Sequence, residues 1–550
     1  SSTALAAATF AAALLAPSAA TSPTPQSSGP DRVIAWNDLG MHCIDPDFSV
    51  FSILPPFNTI NAQVVRNGRL VHSASGLGAT YESIADAEGS INTTSIGKTN
   101  FWDHVQALFG VSPPLDVGLT GSAMPGAANV PQDMQFESAF DWFQGIGIPL
   151  TPLDDAGAKQ PYPLMKIALR SASGQELAAT RTSVPNSQEL LCSQCHASGS
   201  SPFARPRTGW VFHPDPLKDD RLNILRLHDL KHLGEGGYGA ALAAAGYRAS
   251  GLFDTVTMDG TSILCAKCHG SNALPGTGMV GISPLTAAMH GGHADVPVED
   301  GRRLDDVTTR ASCYTCHPGF DTQCLRGAMG KAVGPDGALS MDCQSCHGSM
   351  SDVGDPARVG WLDQQTCQNC HSGSATVNSG EIRFTSAFDA QGDPRVAASS
   401  LFATEPDVPQ AGFSLYRFST GHGDLQCSAC HGPPHAIYPT TVENDNVQSL
   451  DLQGHAGTIM ECSVCHSGLE DHELDDGPHG MHATTRKWVR DVHKDEAQSN
   501  LAACMACHGS DSRGTVLSET QATRTYDTPW GTKVFWEGMR VGCYTCHDGP

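Results

Sequence analysis

Basic residues are scarce in this sequence. Its 550 residues include 33 Lys and Arg against 57 Asp and Glu, which gives a formal net charge of −24. Nucleic acid and anionic membrane surfaces repel so acidic a chain, and we expect neither as a partner. Long apolar runs are also lacking. The apolar stretch within residues 1–20 is too short for a transmembrane helix, which needs about 20 consecutive apolar residues.

That stretch has the small-residue, apolar character of a secretory signal without its basic start. It is either the remnant of such a signal or a retained arm that packs elsewhere. Residues 21–31 are rich in Ser, Pro and Thr, which is typical of a linker. We therefore set residues 1–31 apart from the folded chain.

Cysteine, by contrast, is abundant and patterned. Of 20 cysteines, 18 fall into nine copies of Cys-x-x-Cys-His. The paired cysteines are Cys192 and Cys195, Cys265 and Cys268, Cys313 and Cys316, Cys343 and Cys346, Cys367 and Cys370, Cys427 and Cys430, Cys462 and Cys465, Cys504 and Cys507, and Cys543 and Cys546. The histidines that follow them are His196, His269, His317, His347, His371, His431, His466, His508 and His547.

This spacing suits covalent haem attachment. Two thiols three positions apart each form a thioether with one haem vinyl group, and the next histidine becomes the proximal iron ligand. Zinc sites need no histidine directly after each cysteine pair, and a thioredoxin-like motif would occur once. The sequence therefore predicts nine c-type haems. Their attachment also predicts a location outside the cytoplasm.

Function depends on the ligand opposite each proximal histidine. A second histidine gives a low-potential haem for electron transfer, whereas an open position allows substrate chemistry. The chain has 24 His, enough for nine more ligands. The ten candidates, chosen for their positions near the motifs, are His228, His232, His290, His293, His422, His435, His455, His479, His482 and His493.

Two regions of different character follow the linker. Residues 32–185 carry no haem motif and contain two hairpin patterns, 63–72 around Asn67-Gly68 and 164–184, so we predict a haem-free β-rich domain, such as a small sandwich. Residues 186–550 form a nine-haem cytochrome domain, with too little chain per haem for separate cores. With 57 Gly and 35 Pro, we predict a mostly irregular, loop-rich multihaem cytochrome with short helices.

Two cysteines, Cys43 and Cys324, stand outside the motifs. In an oxidising compartment they favour a disulfide with each other, and two free thiols are the next alternative. A metal site that combines Cys43 with His42, Asp45 and Asp47 is the third, and His42 could instead ligate a haem.

Five segments resemble sequences of the large multihaem c-type cytochromes of metal-reducing and related anaerobic bacteria, which include cytochromes that polymerise into extracellular conductive filaments. The segments are 35–43, 53–57, 324–329, 477–482 and 513–518. The resemblance implies haems ligated by two histidines, secretion to the cell exterior or surface, and electron transfer to external acceptors or redox partner proteins.

The leading hypothesis is an electron conduit and not an enzyme. The ninth motif lies three residues from the end of the sequence, which favours a filament subunit that binds other copies of itself. A monomeric periplasmic or cell-surface carrier is the alternative. A multihaem reductase is less favoured, because none of the nine motifs ends in Lys, as the catalytic motif of many such reductases does. Residues 32–185 could also bind a partner or a surface.

Overall fold

The computed structural model describes residues 29–271, 274, 276–298, 301–333, 336–357, 420–467 and 477–549. The apolar stretch at residues 1–20 and the fifth motif, with Cys367, Cys370 and His371, lie outside these ranges. In the part of the chain that is described, no helix is both long and apolar enough to cross a membrane.

The described strands lie mostly before residue 190. They are β1 Arg32–Asn37, β2 His42–Cys43, β3 Phe51–Ser52, β4 Asn58–Arg66, β5 Arg69–Leu70, β6 Leu77–Ile84, β7 Gln132–Glu137, β8 Trp142–Ile148, β9 Leu164–Ser171, β10 Glu176–Ser183, β11 Asn186–Ser187, β12 Ile263–Leu264, β13 Arg524–Thr528 and β14 Gly531–Phe535.

The described α-helices lie mostly after them. They are α1 Phe101–Phe109, α2 Ser193–His196, α3 Pro216–His232, α4 Tyr238–Ala245, α5 Leu252–Asp259, α6 Leu285–Ala294, α7 Ala311–Tyr314, α8 Ala328–Lys331, α9 Cys343–His347, α10 Met350–Val353, α11 Cys427–His431, α12 Glu443–Gln453 and α13 His493–His508. Single helical turns add to these, among them Pro434–Ala436 and Pro478–Gly480.

One antiparallel sheet of eight strands dominates the N-terminal region. Its order is β1-β4-β8-β7-β6-β9-β10, with β5 paired to β4. Apolar side chains on the inner face of the strands form a core. Its members include Val33, Ala35, Ile60, Tyr81 and Ile167, and these five are each at most 1% exposed. The region thus buries a conventional core of its own.

The predicted fold class, a mostly irregular, loop-rich cytochrome with short helices, is wrong. A nearly closed sheet of eight strands lies within residues 32–183, and α3 alone is 17 residues long. The sandwich is also wrong, since these strands belong to one sheet. Glycine content misled the prediction, because several glycines serve tight turns between long strands. Gly68 and Gly174, with φ of +72° and +83°, occupy such turns.

Both predicted hairpins are present. Val65 pairs with Leu70 and Arg66 with Arg69, and the intervening Asn67 has φ +51°, as a type I′ turn requires. The first hairpin is shorter than predicted, because β5 ends at Leu70. The second joins β9 and β10, which pair from Ser183 opposite Leu164 to Ala178 opposite Leu169.

A helix from the motif-rich region bridges the two ends of the sheet. The side-chain oxygen of Gln448, on α12, accepts a hydrogen bond from the backbone N–H of Ala35 in β1 at 2.8 Å and another from the Thr180 hydroxyl in β10 at 3.1 Å. Strand β1 is also buried on its outer face, where Ile34 and Trp36 contact Ala429 and Val464. The sheet is therefore completed by residues more than 250 positions away in the chain.

Further contacts fix the motif region against the sheet. Helix α3 begins with an Asp215 side chain that accepts from the Leu217 N–H, and Pro216 occupies its first turn, two features typical of helix starts. Its buried Leu222 and Leu225 pack in one cluster with Phe51. Short parallel pairs, β2 with β11 and β3 with β12, add backbone hydrogen bonds. Strand β12 ends directly before the second motif.

Candidate functional site

The motifs surround one large cavity. Its volume is about 3580 Å³, several times the roughly 300–1,000 Å³ of an ordinary ligand pocket. Both cysteines and the histidine of every described motif except the seventh line it. Apolar side chains such as Leu225, Leu242 and Ile263 are among its lining, and apolar surface left in water costs about 25 cal/mol per Å². A large apolar group in this cavity would therefore stabilise the fold.

Histidines meet in pairs, and every pair except that of His466 has both members in the lining of this cavity. Seven pairs have ring centres 6.0–6.3 Å apart, and each joins one motif histidine to one histidine from outside the motifs. They are His196 with His293, His269 with His228, His317 with His290, His347 with His435, His466 with His422, His431 with His479, and His508 with His482. Seven of the ten candidate histidines thus face a motif histidine.

This separation fits an iron between two imidazoles. An imidazole nitrogen binds a metal at about 2 Å and lies about 1 Å from its ring centre, so two rings on opposite sides of one ion have centres about 6 Å apart. No three His, Cys, Asp or Glu side chains in the described ranges group as ligands of a free metal ion. Pairs of histidines suit an iron whose other four ligands come from a porphyrin.

Backbone carbonyls hold many of these rings. In helix α6, the Nδ1–H of His290 donates to the Thr286 carbonyl at 2.8 Å, and that of His293 donates to the Met289 carbonyl at 2.6 Å. His269 donates in the same way to Ser283, and His508 to Val541. A hydrogen bond at Nδ1 fixes the tautomer that leaves the Nε2 lone pair available to a metal.

Burial keeps several of these histidines neutral. It lowers the pKa of His196, His228, His435 and His482 to about 4 and also lowers the pKa of His508. A neutral imidazole is the form that binds metal. These five rings therefore have the ligand form at neutral pH without losing a proton.

Short segments carry ligands for two sites each. His290 and His293, on α6, face the third and first motifs, and the thiols of Cys343 in the fourth motif and Cys313 in the third lie close enough to interact. His435, which faces the fourth motif, lies four residues after His431 of the sixth. His479 and His482, likewise, face the sixth and eighth motifs. The first, third, fourth, sixth and eighth sites therefore form a connected series.

The other three candidates have different partners. The Nδ1–H of His232 donates to Glu235 at 2.7 Å, and His455 bonds to the Ala456 carbonyl and to Glu461. The buried Nδ1 of His493 has no hydrogen-bond partner in the described ranges. None of the three pairs with a described motif histidine.

The ninth motif differs from the other described motifs. The ring of His547 contacts Trp530, with centres 5.4 Å apart, and no histidine in the described part of the chain pairs with it.

Cys43 and Cys324 lie together as free thiols. The Cys324 thiol donates a hydrogen bond to Cys43, and this bond and burial raise the pKa of Cys324 well above its usual value. The alternative metal site around Cys43 is not formed. Asp45 and Asp47 instead face Arg221, and the His42 ring hydrogen-bonds to the Pro55 carbonyl at 3.0 Å. The predicted disulfide stays a prediction.

Sequence reasoning missed the groups that orient the histidines. Most are backbone carbonyls, such as those of Ser283, Val541 and Leu39, which no residue type reveals. The helical pair could have been found, because Thr286 and Met289 each lie four residues before a histidine. No family model, curated protein or solved structure matches this chain.

Proposed function

We propose that this protein is an electron-transfer cytochrome with nine covalently attached c-type haems, at least seven of them ligated by pairs of histidines. The observation that carries the proposal is the set of seven histidine pairs with ring centres 6.0–6.3 Å apart, each with one member from a Cys-x-x-Cys-His motif. When bound, such haems supply reversible one-electron chemistry at low potential.

The residues of the chain have three tasks in this proposal. The motif cysteines attach the group, the motif histidine binds one side of the iron, and the paired histidine binds the other. The hydrogen bonds that Nδ1–H groups donate to backbone carbonyls, such as the bond from His290 to Thr286, orient the imidazoles. Since two histidines would hold the iron at each of these seven sites, we assign no catalytic residue there.

The connected series of sites supports conduction along the chain. Helix α6 ties the third site to the first, and the segment from His479 to His482 ties the sixth to the eighth. Two ligands that are three or four residues apart in sequence are separated by at most about 15 Å, even where the chain is extended. Electrons that enter one site therefore have near neighbours to move to.

We place the protein at the cell exterior or surface, with the periplasm as the alternative, where it passes electrons to external acceptors or redox partner proteins. Assembly into a filament of identical copies stays a prediction. Electron microscopy of native preparations tests it, and a population of discrete monomers alone would contradict it.

Intact mass spectrometry of the secreted protein tests the cofactor. We expect a mass increased by nine haems, and low-spin electron paramagnetic resonance (EPR) signals typical of two axial histidines. A mass without haem would refute the proposal. A chain with nine haems but several high-spin signals would favour the reductase alternative.

His228 and His232 provide a matched pair of variants for ligation, since they lie four residues apart on α3 and, of the two, only His228 faces a motif histidine in the described ranges. We expect His228→Met to raise the reduction potential of one haem, because a methionine ligand raises it. His232→Met should leave every potential unchanged. Equal effects of the two variants would contradict the assigned pairing.

A further inference from the structure

The segment 35–43, which the proposed function leaves unexplained, reaches the site of the fourth motif. The carbonyl of Leu39 accepts the Nδ1–H of His435 at 2.9 Å. His435 is the histidine that faces His347, at 6.2 Å between ring centres. A residue of the N-terminal region thus contacts a candidate ligand directly, across 396 positions of sequence.

The sheet itself fixes that carbonyl. Asn37, the last residue of β1, accepts the backbone N–H groups of Leu39 at 3.3 Å and Gly40 at 2.7 Å through its side-chain oxygen. Its side-chain nitrogen donates to Asn58 and to the Thr59 carbonyl in β4, each at 3.0 Å. Asn37 is 3% exposed, so the turn after β1 has little freedom to move.

The approach of the two segments is close at Gly40. This residue has φ +83°, and a Cβ at this position would lie 3.2 Å from Cβ and Cγ of Pro433, two residues before His435. Glycine is therefore required twice here, for its backbone conformation and for the space.

A buried arginine joins the same two segments. The Arg326 guanidinium donates to the Gly40 carbonyl at 2.6 Å and to both carboxylate oxygens of Asp445, at 2.6 Å and 3.0 Å. The backbone N–H of Arg326 donates to the His435 carbonyl at 3.0 Å. Its side chain is fully buried, so the turn after β1 and the backbone of His435 are held by one fixed residue.

We propose that the N-terminal sheet positions the distal ligand of the fourth haem, by holding the Leu39 carbonyl against Nδ1 of His435. This inference rests on the proposed function, because His435 is a ligand only if the fourth motif carries haem. A carbonyl at Nδ1 orients the ring and makes the imidazole a stronger donor to the metal. A stronger donor stabilises the oxidised iron, so the contact lowers the potential of that haem.

Gly40→Ala tests the contact, with Gly174→Ala as its control. Gly174 has the same φ of +83° in the same sheet, but an added Cβ there meets nothing within 4 Å. His435→Met marks the fourth haem in a redox titration monitored by EPR. We expect Gly40→Ala to shift the potential and EPR signal of that haem alone, and Gly174→Ala to shift none. An unchanged fourth haem in folded Gly40→Ala would overturn the inference.

A second variant covers the case in which Gly40→Ala does not fold. Asn37→Ala releases the turn without a clash, and Asn92→Ala, which removes another buried Asn side chain of the same region, is its control. The inference requires that Asn37→Ala raise the reduction potential of the fourth haem and that Asn92→Ala leave it unchanged. Intact mass separates the two proposals. A wild-type chain without haem would refute both the proposed function and this inference. A chain with nine haems, in which the Asn37→Ala variant leaves the potential of the fourth haem unchanged, would refute the inference alone.

Discussion

The two regions of this molecule have interiors of different kinds. Residues 32–183 form a sheet around a core of apolar side chains, in which Ile60, Ile167 and Leu169 are completely buried. The motif region instead surrounds a cavity of about 3580 Å³ with cysteines and histidines. The first region has its core in its own sequence, whereas under the proposed function the haems would supply the core of the second. We expect them to respond differently when cofactors or core side chains are removed.

The largest effect should follow from production without haem attachment. The motif region should then fail to fold, because the apolar side chains that line its cavity would be left in water, while the sheet keeps its apolar core. Limited proteolysis should leave a resistant fragment that ends near residue 190, with a β-type circular dichroism spectrum. Equal resistance of the motif region with and without haem would contradict the comparison.

Core substitutions on the two faces of the sheet should separate the regions. Trp36 is completely buried on the outer face, against Ala429 and Val464, whereas Ile167 is completely buried on the inner face. Trp36→Ala should cost about 3–5 kcal/mol and Ile167→Ala about 2–5 kcal/mol of unfolding free energy. When denaturant unfolding is followed by haem absorbance, Trp36→Ala should lower the transition midpoint more than Ile167→Ala does. A larger response to Ile167→Ala would mean that the outer face contributes little to the junction.

The buried ion pair between Arg326 and Asp445 should be costly to break from one side. Arg326→Met leaves a buried carboxylate without its partner, which costs about 3–5 kcal/mol. The double variant Arg326→Met/Asp445→Leu should lose less than the single one, because no buried charge remains. Chemical denaturation of both variants checks this order, and a greater loss in the double variant would refute it.

The smallest effect should come from the turn between β4 and β5. Gly68 has φ +72°, so Gly68→Ala should cost about 1 kcal/mol. Gly78→Ala is the control, because Gly78 has an ordinary φ and open space around its Cα. The unfolding temperature of the sheet should fall for Gly68→Ala and not for Gly78→Ala, and the haem spectrum should be unchanged in both. A changed haem spectrum would show that this turn is coupled to the motif region.

Local features of the molecule could be predicted from the sequence. The Asn67-Gly68 turn follows from two adjacent residues with positive φ, and the motif spacing identifies the thiols and the histidine that belong together. Sheet closure could not be predicted, because Gln448 meets Ala35 from 413 residues away. Composition suggested an irregular chain, since it counts glycines without showing that many of them connect strands.

The candidate ligands show the same limit. His228 and His232 share one helix and one face, yet one meets His269 and the other bonds to Glu235. Spacing along the helix does not separate them, and it is the packing of α3 against the second motif that gives His228 its partner. Position near a motif selected seven histidines that pair and three that do not in the described ranges.

Helix α6 imposes a constraint on insertions and deletions. His290 and His293 face two different motifs from positions three residues apart. Loss or gain of one residue between them would turn one ring by about 100° relative to the other and move it about 1.5 Å along the axis. The rest of the spacers between motifs differ widely in length, since consecutive motifs begin as few as 24 residues apart, from Cys343 to Cys367, or as many as 73, from Cys192 to Cys265. In related chains, length changes should collect in the spacers, while the interval between these two histidines stays at three.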